Sequence, residues 1–128
     1  MRYYFVKNVD RSFDDTRKYV EELLKQYGFG VVSEIDLHEK FKAKLGIDFR
    51  KYKILGACSP KHAYKAIGSE EHIGLMLPCN LVLQEVNQGE TKVSVIDPIA
   101  SMQAVQNPEL ESTASEIQGL LKEFIEKL

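Results

Sequence analysis

Two cysteines stand where a thiol could react. Cys58 directly precedes Ser59-Pro60-Lys61-His62. A serine followed by proline is the pattern of a helix N-cap and first helical residue. A sulfur beside a helix start lies near unpaired N–H groups and the positive end of the dipole, and both favour the thiolate. His62, on the first turn of that helix, adds to the effect when protonated. The plainer reading makes Cys58 a small buried residue filling a strand-to-helix corner. Cys79 follows Pro78 and precedes a strand-like run. Pro78 fixes φ and ends strand pairing, which either turns Cys79 towards a cleft or builds a tight turn in which Asn80 bonds local backbone. If folding brings the two thiols together, two chemistries open. One is a disulfide cycle. The other is a soft site for a thiophilic metal, with His62 or His72 and Met76 or Met102 at hand. Neither has a full zinc signature, since the chain contains no CxxC and the spacing from Cys58 to His62 stands without a second ligand pair.

The remaining polar residues offer less. Asp97-Pro98 either places a carboxylate at a strand end or, more plainly, ends a strand and starts a turn. Glu85 would need a partner such as Lys92 or Lys53 across the strands. His38 falls on the charged face of a short helix and reads as solvated, and His72 beside Glu70 and Glu71 reads as an exposed turn. No HExxH, GxSxG, GxGxxG or GxxxxGK[ST] occurs, which leaves zinc hydrolysis, serine hydrolysis and phosphate cradling without support.

These candidates need elements to hold them. Residues 2–7 are rich in Tyr, Phe and Val and suit a strand. Phe13, Thr16, Val20, Leu23, Leu24 and Tyr27 then repeat at helical spacing behind a Ser12 cap, with Gly28 and Gly30 closing the helix. A second strand is predicted over 31–36. A short helix follows, with Asp36 and Glu39 as its capping box and Gly46 as its stop. Residues 51–57 alternate as a third strand, and residues 60–67 form a short helix. Residues 81–86 and 91–96 flank Asn87-Gln88-Gly89-Glu90 as a hairpin. Residues 98–106 read as an irregular link. The last helix opens at Asn107-Pro108-Glu109, with Leu110, Ala114, Ile117, Leu121, Phe124 and Leu128 as its buried stripe. Two long amphipathic helices require a broad surface to cover. The hairpin requires antiparallel pairing. The predicted class is therefore α+β: a twisted antiparallel sheet of four to five strands with both long helices on one face and short extra helices besides.

The chain has 128 residues, the size of one domain. Apolar residues make up 44% and charged residues 28%, enough apolar surface to offset the entropy of ordering. Lys and Arg number 17 against 19 Asp and Glu, for a net charge of -2. With no basic excess, nucleic-acid binding is not expected. No apolar run is long enough to span a membrane, and the N-terminus has no signal-peptide pattern, so a cytoplasmic location is expected.

Three blocks carry a further resemblance: residues 56–66 (GACSPKHAYKA), residues 73–85 (IGLMLPCNLVLQE) and Asp97-Pro98. In this order and spacing they resemble the bacterial and archaeal domain of unknown function 302 over essentially the whole chain. Ser59 stands where Asn is usual, and Gln84 where an aromatic residue is common. The resemblance implies a β-α-β(4)-α arrangement grouped with TATA-binding-protein-like architectures, and frequent homodimers. It implies no activity. Kinship with a DNA-binding fold is not evidence of DNA binding.

Taken together, the sequence favours a non-catalytic domain that requires no cofactor. It would dimerise and hold a small ligand or a protein partner in a cleft between sheet and helices. The alternative is thiol redox or soft-metal handling through Cys58 and Cys79, and a weaker one is a small enzyme acting near Cys58. The candidate ligand-binding or redox residues are Cys58, His62, Cys79, Asn80 and Asp97.

Overall fold

A computed structural model describes residues 2–128. Its elements run β1 (Tyr4–Val9), α1 (Phe13–Gln26), β2 (Gly30–Asp36), α2 (Leu37–Leu45), β3 (Tyr52–Cys58), α3 (Pro60–Ser69), a 3-10 turn (Glu71–Met76), β4 (Cys79–Asn87), β5 (Glu90–Ile96), α4 (Pro98–Met102), a 3-10 turn (Pro108–Leu110) and α5 (Glu111–Lys127). The strands form one five-stranded sheet in the order β1-β5-β4-β3-β2, and every neighbouring pair is antiparallel. The α+β class with two long helices on one face is what the periodicities require.

Alternation along the strands gives the sheet two unlike faces. Leu55, Ala57, Leu81, Leu83, Val93 and Val95 point to one face and are buried. There they meet Val20, Leu23 and Leu24 of α1 and Ile117, Leu121 and Phe124 of α5. Phe124 is wholly buried, so its replacement by Ala would cost about 3–5 kcal/mol. The space between sheet and helices is thus filled by side chains. In place of the expected ligand cleft, the described residues leave only a small crevice at one end, because both apolar stripes close onto the strands. The other face carries no helix, and its alternate residues, among them Val6, Val82, Ser94 and Ile54, are only half-buried.

The ends of the elements follow local chemistry, with some departures. Ser12 caps α1 by accepting the Asp15 N–H at 3.1 Å. Gly28 closes that helix at φ +84°, whereas Gly30 has an ordinary φ and opens β2. Asp36 makes no capping bond to α2, since its carboxylate lies 3.5 Å from Lys53 Nζ. Lys53 is also paired with Glu34, which leaves it with no role towards Glu85. The hairpin tip is shorter than expected, because Asn87 and Glu90 are already paired. The supposed link after β5 contains α4, whose cap is Asp97, accepting the Ile99 N–H at 3.0 Å. His38 is not solvated: its Nδ1 lies 2.9 Å from the Tyr52 backbone nitrogen, and its ring meets Phe13 edge-on. Nδ1 also lies 3.1 Å from the Tyr52 carbonyl oxygen, so the tautomer of His38 decides which of the two Tyr52 groups it bonds.

Candidate functional site

Two places divide the predicted site residues between them. The first is the corner where β3 turns into α3. Ala57 pairs with Cys79 across β3 and β4, so Cys58 and Cys79 end neighbouring strands at the same edge of the sheet. Both line the same small crevice there. Cys79 lies with Ala57 on the helix face and is buried, while Cys58, one residue further on, is half-buried. Burial pushes the Cys79 thiol up to about 11, and the neighbouring Cys58 adds to the rise.

Ser59 sits at the N-cap position of α3, where its carbonyl accepts the Ala63 N–H at 2.9 Å but its side chain makes no capping bond. Its Oγ lies 2.6 Å from His62 Nδ1, and both residues are buried. His62 Nε2 is 3.2 Å from Glu116 Oε1 on α5. The angle there is poor, so Nε2 is buried in a charge contact without an aligned hydrogen bond. When charged, His62 holds the exposed Glu116 carboxyl below the usual carboxylate range. Ser, His and Glu in a line are the residue types of an acyl-transfer triad. Here Ser59 is only 7% exposed, and the crevice beside it has a volume of about 30 Å³. That volume holds about one water and no substrate. The line of contacts ties α3 to α5 instead. Met102 lines the same crevice, whereas His72 lies exposed beside Glu71 and Met76 lies in the exposed 3-10 turn. Among the described residues, no three His, Cys, Asp or Glu side chains gather as a metal would require.

Asp97 and Asn80 lie elsewhere. Asp97 is 5% exposed, and besides capping α4 it accepts Gln118 Nε2 from α5 at 3.1 and 3.2 Å. A buried carboxylate so fully bonded fixes α4 against α5 and is closed to ligands. Asn80 is exposed and belongs to the second place, the helix-free face of the sheet.

That face forms a groove of about 680 Å³. The strand register arranges it in rows. Asn8, Lys92, Gln84 and Tyr52 lie side by side across β1, β5, β4 and β3. The next row is Val6, Ser94, Val82 and Ile54. Tyr3, Tyr4 and Arg2 close one end, with the two tyrosine rings edge to face at 5.1 Å and Arg2 stacked 5.2 Å over Tyr4. The sequence reading singled out only Asn80 here. Alternation in β4 and β5 (Asn80, Val82, Gln84; Lys92, Ser94, Ile96) is the signal that identifies the rest.

A five-stranded antiparallel sheet with two long helices on one face and an open groove on the other defines an α+β protein with a bare sheet surface. The chain belongs to the family described as domain of unknown function DUF302, whose model matches residues 5–128. It is similar to the solved crystal structure of the uncharacterized conserved protein DUF302 from Bacillus stearothermophilus. The two share 29% identity and a TM-score of 0.89, over 98% of each chain. No match is found among curated proteins.

Proposed function

We propose that the chain is a non-catalytic binding domain, working as a homodimer, whose ligand seat is the helix-free face of the sheet. The observation that carries this reading is the contrast in space: about 680 Å³ in the open groove against about 30 Å³ at the thiol corner. A small ligand needs a concavity of roughly 300–1,000 Å³ with a few polar groups among apolar ones. The groove supplies both, with Asn80, Gln84 and Ser94 set beside Val6 and Val82. The thiol alternative has less behind it. Cys58 and Cys79 line one crevice, but its volume is only about 30 Å³, and the burial that raises the Cys79 thiol keeps it protonated at neutral pH.

Amide NMR of the labelled full chain against a library of small fragments tests the assignment. Shifts should gather at Val6, Val82, Gln84 and Ser94. Shifts gathered at Cys58, Ser59 and Cys79, with none on the open face, would overturn it.

A further inference from the structure

We infer that the seat on the open face is built for a small organic anion, an acidic group carried directly on a flat apolar body. This rests on the binding reading above and names its ligand class. Although the chain has more acids than bases, no carboxylate lines the groove among the described residues, whereas Arg2 and Lys92 do. Arg50 joins them at the rim, donating from Nε to Gln84 Oε1 at 2.9 Å. Glu90 reaches the same rim, but its two oxygens accept from the Asn8 and Asn87 side-chain amides. Lys92 has no ion-pair partner among the described residues. In the register of the sheet Lys92 is flanked by Asn8 and Gln84, and the three side chains line the groove as a set of donors that suits an oxyanion.

Register supplies the second half of the argument. The row beside Lys92, from Val6 through Ser94 and Val82 to Ile54, is largely apolar. Rows on one face are two residues apart along the strand, or about 7 Å. A ligand whose acidic group meets Lys92 therefore lays its body on Val6 and Val82 only if the two parts are directly joined. A groove with so few cations, in a protein of net charge -2, suits a small anion better than a long polyanion.

Two dyes of the same aromatic shape test this on the intact protein: the anion anilinonaphthalenesulfonate and the neutral phenylnaphthylamine. The anionic dye should bind more tightly. Lys92→Glu should weaken it roughly tenfold or more, Lys92→Arg should restore it, and neither should alter the neutral dye. Ser94→Trp, which fills the apolar row, should abolish binding of both, with circular dichroism confirming that each variant folds. If Ser94→Trp removes both dyes but Lys92→Glu changes neither, the anion assignment fails while the seat stands. Dye binding indifferent to Ser94→Trp would remove the seat as well. Oligothymidylate binding more tightly than the dye and lost in Lys92→Glu would overturn the small-anion class in favour of single-stranded nucleic acid.

Discussion

Cys79 lies against the helix face with its thiol pushed up to about 11, so at neutral pH it is neutral as well as shielded. Cys58 is half-buried at the strand end and is the only thiol a reagent can approach. In native protein at pH 8 at most one thiol should react with a disulfide reagent. Cys58→Ser should leave none until denaturant is added, and two thiols reacting in the native state would contradict this placement. Glu34 shows the opposite effect of environment. Arg17 donates to it at 2.7 Å and Lys53 pairs with it, which holds its carboxyl at about 2 against an ordinary 4.5. A depressed folded value means that the ionised form favours folding. The stabilisation is therefore complete above pH 4.5, declines as pH falls, and is gone near pH 2. The site is partly exposed, so Glu34→Gln should cost only about 1 kcal/mol or less at pH 7. The wild-type advantage should shrink to nothing by pH 2 in urea titrations, and an advantage that grew on acidification would refute the sign.

Elements meet closely where β2, β3 and the start of β4 converge. A Cβ added at Gly56 would lie 2.2 Å from Ser33 Oγ and 2.5 Å from Pro78 Cγ. The serine can rotate away, but the proline ring cannot, so Gly56→Ala should cost about 1–3 kcal/mol in thermal or urea unfolding. A neutral result would mean that Pro78 moves freely. The same region shows what sequence can and cannot reveal. The stripes of α1 and α5 were readable because covering a sheet forces a helical period on the apolar residues. The nearness of Cys58, Ser59 and His62 was readable because they lie within one turn of chain. The partner of His62 was not, since Glu116 comes from a helix distant in sequence. Asp36 had the spacing of a capping box, yet Lys53 on the neighbouring strand takes its carboxylate, a competitor that no local pattern contains. Five residues are too few to show a period, so α4 read as a link. Alternation in β4 was legible, but Asn80, Val82 and Gln84 are too mixed to say which face the helices leave bare.

At the scale of the molecule, the largest exposed apolar side chains call for cover. Leu75 is 87% and Tyr64 85% exposed, and Ile67 and Met76 join them along α3 and the 3-10 turn that follows it. Exposed apolar side chains gathered on neighbouring elements in this way are a candidate association surface. Of the two sheet edges, β2 is a poorer candidate, because the bulge between Val31 and Ser33 disrupts it, a device that discourages edge pairing. Charge around the patch favours a second copy of this chain. Lys61 and Lys65 lie on α3, and Glu70 and Glu71 follow it. In the proposed homodimer a twofold axis through the patch would let the lysines of one protomer face the glutamates of the other. Light scattering should therefore give a dimer mass, with dissociation on dilution eased by salt. Leu75→Asp should yield a folded monomer, because doubling the variant brings two carboxylates together at the axis. A wild-type monomer across a hundredfold dilution would exclude the assembly, and a dimer unmoved by Leu75→Asp would place the contact elsewhere.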